Sequence, residues 1–412
     1  MKGSNEPLRD YDKARDLDSV KRIWREVGWA TEEHEIAQIE NFFDCGRTRV
    51  ATINGEAECS VHTAPGTYNL GGTELSLCAV TAVTTSRIAR GQSFARRLTA
   101  DQLLFARGEG AQMAVLGMFD QGFYDQLGFG TGAYDLKFSI DPSLLQVDHR
   151  VPSPLRFGID DAPALHKAML NRMKVHGAVN LLPEIMFRAE LGFQEYGFGL
   201  GYKASNGDVS HFVWLDGEEG EHGPYKVVFL AYQSTDQLLE LLGLLKSLSD
   251  QVYSVSLFEP AQIQLQSLLA KPLRNQSITK NSKHKNDIRA FAWWQARVLD
   301  VCGCVSALSS LSGKVAFNLK VADPLDEYAT QDLSGIGGEY VVTLGEGGGA
   351  ELGKDANLPQ LNCDVNALTR LLMAVAPATS LAVTDDLAAP AELLMQLDEV
   401  LRLPKPITGW EF

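Results

Sequence analysis

The chain has 412 residues, 45% apolar and 22% charged, with a formal net charge of −15. That length divides into roughly two to four domains and the composition is that of a soluble globular protein. No apolar run approaches the roughly 18–20 residues that cross a bilayer, and the acidity argues against a nucleic-acid groove while suiting a cationic small molecule. Met1-Lys2-Gly3-Ser4-Asn5-Glu6 leads into no apolar signal-peptide core, and the cysteines at 45, 59, 78, 302, 304 and 363 are sparse, so a reduced, cytoplasmic setting is expected.

In chain order, residues 8–11 read as a short strand. The helix that follows has Val20, Ile23, Trp24 and Val27 at its apolar positions, with Asp16 or Asp18 as its cap. Residues 32–43 read as a second amphipathic helix, with Ile36, Ile39 and Phe42 or Phe43 on one side. The acids around His34 (Glu32, Glu33, Glu35) suit the first turn of that helix better than a metal cluster. Asn54-Gly55 between residues 48–53 and 56–63 predicts a hairpin, and Pro65-Gly66 and Gly71-Gly72 read as further turns. The apolar run 78–83 predicts a strand that stops at Thr84-Thr85-Ser86. A basic turn, Arg87-Ile88-Ala89-Arg90-Gly91-Gln92-Ser93, then opens a helix carrying Phe94, Leu98 and Leu104 that ends at Gly108-Glu109-Gly110. Residues 113–118 predict another strand, leading to Phe123-Tyr124 on a short helix. A strand that feeds a helix through a small basic turn predicts an anion site. The first helical N–H groups lack intrahelical acceptors and the helix dipole is positive there. The expected ligand is a pyrophosphate.

Residues 138–156 read as a connector punctuated by Pro142, Pro152 and Pro154. Residues 160–173 are expected as helix, 198–203, 209–215 and 225–231 as strands, 216–223 as an acidic turn, 235–249 as a leucine-rich helix and 252–257 as a strand. This middle block repeats the earlier order without the basic turn. Lys280-Asn281-Ser282-Lys283-His284-Lys285-Asn286 reads as a surface loop. Trp293, Trp294, Val298 and Val301 suit one helix, 313–321 and 338–344 read as strands, and 366–375 and 389–401 as helices. Gly335-Ile336-Gly337-Gly338 lacks the βαβ context of a nucleotide fingerprint. Cys302-Gly-Cys304 has no second pair to complete a zinc set and reads as buried thiols; no metal is expected. The closing Trp410-Glu411-Phe412 predicts a docked terminus.

These residues carry a resemblance. Arg90-Gly91-Gln92-Ser93-Phe94-Ala95 is similar to the Gln/Arg-x-x-Gly-x-Gly/Ala loop of the GCN5-related N-acetyltransferase (GNAT) superfamily, with Ser93 at the central glycine. Gly122-Phe123-Tyr124-Asp125-Gln126-Leu127-Gly128-Phe129-Gly130 and the Glu411-Phe412 ending resemble the Eis (enhanced intracellular survival) acetyltransferases. The fold class so implied is α/β (α+β): a GNAT domain over 1–149, a divergent GNAT-like domain over 150–287, and a sterol-carrier-protein-like domain over 288–412. The resemblance implies an acetyl-CoA-dependent N-acetyltransferase acting on a primary amine of aminoglycoside, polyamine or lysine type, without nucleic acid or membrane span, assembled as a hexamer. It assigns Val83, Thr84 and Thr85 to the pantetheine arm. Arg90, Gly91, Gln92, Ser93, Phe94, Ala95 and Arg96 go to the pyrophosphate, and Phe119 and Asp120 to a further coenzyme contact. It makes Tyr124 the general acid, the Phe412 α-carboxylate the general base, and Glu411 an amine-binding group. The competing expectation is a lipid carrier with a GNAT scaffold.

Overall fold

A computed structural model describes residues 8–148, 151–217, 222–271, 276–277 and 283–411. The first third contains β1 (Leu8–Asp10), α1 (Lys13–Val27), α2 (Glu33–Phe43), β2 (Arg47–Ile53), β3 (Glu56–Leu70), β4 (Thr73–Thr85), α3 (Phe94–Gly108), β5 (Met113–Gly117), α4 (Gln121–Asp125) and β6 (Gly130–Thr131). The middle contains β7 (Asp135–Ile140), β8 (Leu155–Phe157), α5 (Ala162–Leu170), β9 (Val179–Leu181), α6 (Glu184–Gly192), β10 (Gly197–Lys203), β11 (Val209–Asp216), β12 (Tyr225–Ala231), α7 (Thr235–Ser247), β13 (Val255–Phe258), β14 (Gln276–Ser277) and β15 (Lys285–Phe291). The last third contains β16 (Trp294–Val298), α8 (Val301–Ala307), β17 (Lys314–Ala322), β18 (Gly338–Gly345), β19 (Gly349–Leu352), β20 (Gln360–Asp364), α9 (Val365–Leu372), α10 (Ala378–Thr384), β21 (Leu387–Ala388) and α11 (Ala391–Val400).

The chain divides into two compact units, one of residues 1–133, 175–183 and 293–412, the other of residues 134–174 and 184–292. The first holds a mixed sheet in the order β1-β2-β3-β4-β5-β16-β6, with β9 beside β3, and a five-stranded sheet β19-β18-β17-β20-β21. The second holds the sheet β14-β15-β7-β13-β12-β11-β10-β8. Both larger sheets contain a strand–helix–strand step that ends in a parallel pair: β4-α3-β5 and β12-α7-β13. In the second, the Ser234 hydroxyl accepts from the Gln237 N–H (3.3 Å) and caps α7. The start of α3 has no side-chain cap. The basic turn is thus the local difference between two related steps.

Local chemistry explains these elements. Asn54 and Gly55 both take positive φ, as the two-residue hairpin requires. Glu35 accepts from the N–H groups of Thr31 and Glu32 and so opens α2. α3 buries Phe94, Leu98, Leu103 and Leu104 against β3, β4 and β5, in a core shared with Val61, Val80 and Leu116.

Several expectations are corrected. The cap of α1 is Asp12, which accepts from the Ala14 N–H. Asp16 is buried and paired with Arg9 at 2.6 and 2.7 Å. Pro65-Gly66 lies inside β3. A Cβ at Gly66 would collide with the Asn180 carbonyl, so glycine there admits β9 rather than making a turn. Thr84 and Thr85 extend β4, β7 runs into the start of the connector expected at 138–156, and the patch at Lys285 runs into β15. Trp294–Val298 is a strand rather than a helix. All five of its residues are buried, because it lies between β5 and β6, and a short run covered on both faces shows no period that separates strand from helix. The expected turn at 218–221 and Lys280, Asn281 and Ser282 lie outside the described residues.

Candidate active site

β4 and β5 pair in parallel from Leu77↔Met113 to Val80↔Leu116. Beyond that point β4 runs on to Thr85 alongside β3, while β5 pairs on its other edge with β16. The register of β3 and β4 shifts between Ser60 and His62, where Ala82 takes φ 49°. A bulge at this place turns the strand and increases its local twist. The two parallel strands therefore part, and β4 from Val83 to Thr85 lines an opening.

That opening is a cleft of about 630 Å³, lined by Val83, Thr84, Thr85, Arg90, Gly91, Ser93, Phe94, Ala95, Arg96 and Phe119, with Val27, Trp29, Ala89, Phe123 and Gln126. Its size falls within the range of small-molecule sites. Its floor is the turn between β4 and α3. The Arg87 N–H donates to Glu26 Oε2 (3.0 Å) and the Ser86 N–H to the Glu58 carbonyl (2.8 Å), which ties the turn to α1 and β3. Gly91 and Ser93 then take left-handed φ of 75° and 58°. The first intrahelical bond of α3 runs from the Arg97 N–H to the Ser93 carbonyl (3.1 Å). The N–H groups of Phe94, Ala95 and Arg96 precede it and point out of the helix start, where the dipole is positive. Arg96 Nη1 donates to Gln126 Oε1 (3.1 Å) across the cleft wall, and Arg90 is exposed at its rim. The lining contains arginines and no carboxylate.

Ten of the twelve anticipated coenzyme residues are thus brought to one cleft. The other two are occupied locally. Gln92 Nε2 donates back to the Ile88 carbonyl (3.1 Å), and Asp120 Oδ1 accepts from the Gly122 N–H (2.9 Å) and caps α4. Tyr124 is only 2% exposed and does not line the cleft. Its ring meets Phe119, Phe123 and Phe129 edge-on at centroid distances of 5.6, 4.9 and 6.0 Å, and burial pushes its phenol above the usual value. Tyr134 is 66% exposed. The tail is docked: the Ile407 N–H donates to the His176 carbonyl (3.0 Å), the Val179 N–H to the Thr408 carbonyl (2.9 Å), and Trp410 is 2% exposed. β9 runs in the same direction as β4, both being antiparallel to β3, and the tail follows β9 toward the open end of the sheet. Glu411 is half-buried, and Phe412 lies outside the described residues.

Val27 and Trp29 also line the cleft and were not among the anticipated site residues. The available signal was Gly28, a left-handed helix end that places an aromatic residue, 44% exposed, just past α1. Among the described residues no group of His, Cys, Asp and Glu is arranged to hold a metal, and no helix is long and apolar enough to cross a membrane.

A mixed sheet whose parallel pair parts above a basic helix start is thus the frame of this cleft. Residues 10–132 match the family model for the acetyltransferase (GNAT) domain, so the chain carries that domain and is an enzyme of this class. The whole chain is similar to a probable N-acyltransferase of Enterococcus faecalis (TM-score 0.80, 17% identity, 98% of this chain and 99% of that one). It is similar also to a GCN5-related N-acetyltransferase of Anabaena variabilis (0.77, 15%, 98% and 100%). Eis1 of Mycobacterium abscessus is a third (0.75, 16%, 98% and 100%). At such identities the likeness establishes the fold. No curated protein sequence matches the chain.

Proposed function

We propose that this chain transfers the acetyl group of acetyl-CoA to a primary amine of a cationic small molecule, of aminoglycoside, polyamine or lysine type, by direct attack in a ternary complex. The observation that carries the reading is the parting of β4 and β5 directly above the uncapped, basic start of α3. The first amides of α3, with Arg90 and Arg96, suit a pyrophosphate. The edge of β4 from Val83 to Thr85 suits the amide groups of a pantetheine arm. Tyr124 is the proton donor to the departing thiolate. A phenol held above its usual pKa keeps its proton until a strong base arrives. The Phe412 α-carboxylate accepts the proton of the amine, and Glu411 and the overall negative charge favour a cation. The division at 149 and 287, a sterol-carrier-protein-like C-terminal block, a cytoplasmic setting and a homo-hexamer complete this reading.

Thiol release from acetyl-CoA, followed across a panel of polyamines and aminoglycosides, tests it. Amine-dependent release is expected. An apolar ligand co-purifying with protein that releases no thiol would favour the lipid carrier instead. Tyr124→Phe should lower turnover about 100-fold or more while leaving the KM for acetyl-CoA in place; full turnover would remove Tyr124 from the mechanism.

A further inference from the structure

α4 has five residues, too few for its own hydrogen bonds to fix its orientation. The aromatic rings around Tyr124 press on it without direction along the helix. The directional contacts come from side chains 164 to 241 positions further along the chain. Gln295, fully buried on β16, donates through Nε2 to Asp125 Oδ1 (2.7 Å), to Thr131 Oγ1 (3.1 Å) and toward the Gln121 carbonyl (3.5 Å). Asn366, on α9, donates through Nδ2 to the carbonyls of Asp125 (3.0 Å) and Phe129 (2.8 Å). Arg297 Nη1 donates to the Leu127 carbonyl (2.5 Å). These contacts bracket Tyr124 on both sides: Gln121 and Asp125 on its helix, Leu127, Phe129 and Thr131 on the return to β6. None of the three donors lines the cleft.

We infer that Gln295 and Asn366 are positioning residues for the Tyr124 phenol, so that the C-terminal block sets the place of the proton donor while the N-terminal block holds the coenzyme. The inference rests on the acetyl-transfer reading with Tyr124 as donor. The two carboxamides do different parts of one task. Gln295 fixes the rotation of α4 through the Asp125 carboxylate, and Asn366 fixes its height through two carbonyls at the helix end. A shift of about 1 Å in a reacting group is enough to cost a large factor in rate.

The test is a double-mutant cycle in the full chain, with kcat, the KM for acetyl-CoA and the melting temperature read for each protein. Gln295→Ala and Asn366→Ala are each expected to lower kcat about tenfold and to leave the KM for acetyl-CoA within about twofold. Asn366→Asp, which keeps the shape and loses both donors, should act like Asn366→Ala. In a Tyr124→Phe background each of these changes should alter kcat less than about twofold, because no phenol remains to misplace. An equal loss in both backgrounds, or a rise in KM with kcat kept, would show mere packing and overturn the inference. If Gln295→Ala fails to fold, Asn366→Asp decides the question. Unchanged turnover of Tyr124→Phe itself overturns both the donor role and the inference; lowered turnover with additive effects of Gln295→Ala overturns the inference alone.

Discussion

Ser93 occupies a backbone position that ordinarily belongs to glycine. The six-residue loop from Arg90 matches its family pattern at Arg and Ala, and the sequence shows only that serine stands at the central glycine. The structure shows why glycine is usual there, since Ser93 has φ 58° and ψ 19°. A left-handed conformation costs an L-residue roughly 1–2 kcal/mol, whereas glycine loosens the unfolded chain by roughly 0.4–1 kcal/mol. Ser93→Gly should therefore stabilise the protein by up to about 1 kcal/mol in urea unfolding, with the α3 amides still in place. A less stable variant would mean that the serine side chain supports the loop. His62 was invisible as a special residue, because a histidine in an alternating strand reads like any polar position. It is fully buried between Phe42 and Phe43, with Nδ1 sharing a hydrogen bond with Thr48 Oγ1 (2.8 Å). Burial lowers its pKa to about 3. Its folded pKa is depressed, so the unfolded chain binds the proton first as pH falls below about 6.5, and stability drops from there down through about 3. Between pH 7 and pH 5 the loss from this one group is about 2 kcal/mol. Urea titrations at the two pH values should show that His62→Phe lacks this share of the acid loss. An unaltered pH dependence would place the effect in other groups.

Elements with one wet face were legible by their period, and among those covered on both faces the apolar runs of β4 and β5 still read as strands. The α1 stripe of Val20, Ile23 and Trp24, the Asn54-Gly55 hairpin and the α3 stripe all announce themselves by period or turn chemistry. β16 does not, since Trp294, Gln295, Ala296, Arg297 and Val298 are all buried and two of them are polar. Those polar residues are the ones that join elements. Arg297 Nη2 donates to both carboxylate oxygens of Asp323 (2.5 and 2.6 Å), neither side chain is exposed, and Asp323 also accepts from the N–H groups of Leu325 and Ile336. The pair ties β16 to the segment between β17 and β18. Arg297→Ala leaves a buried carboxylate without its cation and should cost roughly 3–5 kcal/mol, while the Arg297→Ala/Asp323→Ala double variant should recover part of that loss. Equilibrium unfolding of the two single and one double variants reads this directly. A double variant as weak as the sum of the singles would mean that the two side chains act separately.

At the scale of the molecule, what the sequence hid is a crossing of the chain. Block boundaries at 149 and 287 follow the order of residues, and composition gives no sign that a strand from beyond 290 enters a sheet begun at residue 8. In space, β16 lies between β5 and β6, and residues 293–412 share a compact unit with residues 1–133. β16 pairs with Met113–Gly117 on one side and with Gly130 and Thr131 on the other. The Arg107 guanidinium on α3 reaches the carbonyls of Leu299 (3.0 Å) and Ser334 (2.9 Å). Without the C-terminal block, β5 would present an open parallel-sheet edge, α4 would lose Gln295, Arg297 and Asn366, and buried residues such as Leu127 and Phe129 would meet water. An exposed apolar edge of this kind is a template for aggregation. A fragment of residues 1–149, although it contains the whole cleft, should therefore be insoluble or lack fixed tertiary structure, and should not protect its amides when acetyl-CoA is added. Co-expression with residues 150–412 should restore a soluble complex if the missing strand is what it lacks. Near-ultraviolet circular dichroism and hydrogen exchange of the two preparations distinguish the outcomes. A folded, coenzyme-binding 1–149 fragment would show that the N-terminal sheet closes on its own and that β16 is an addition to it.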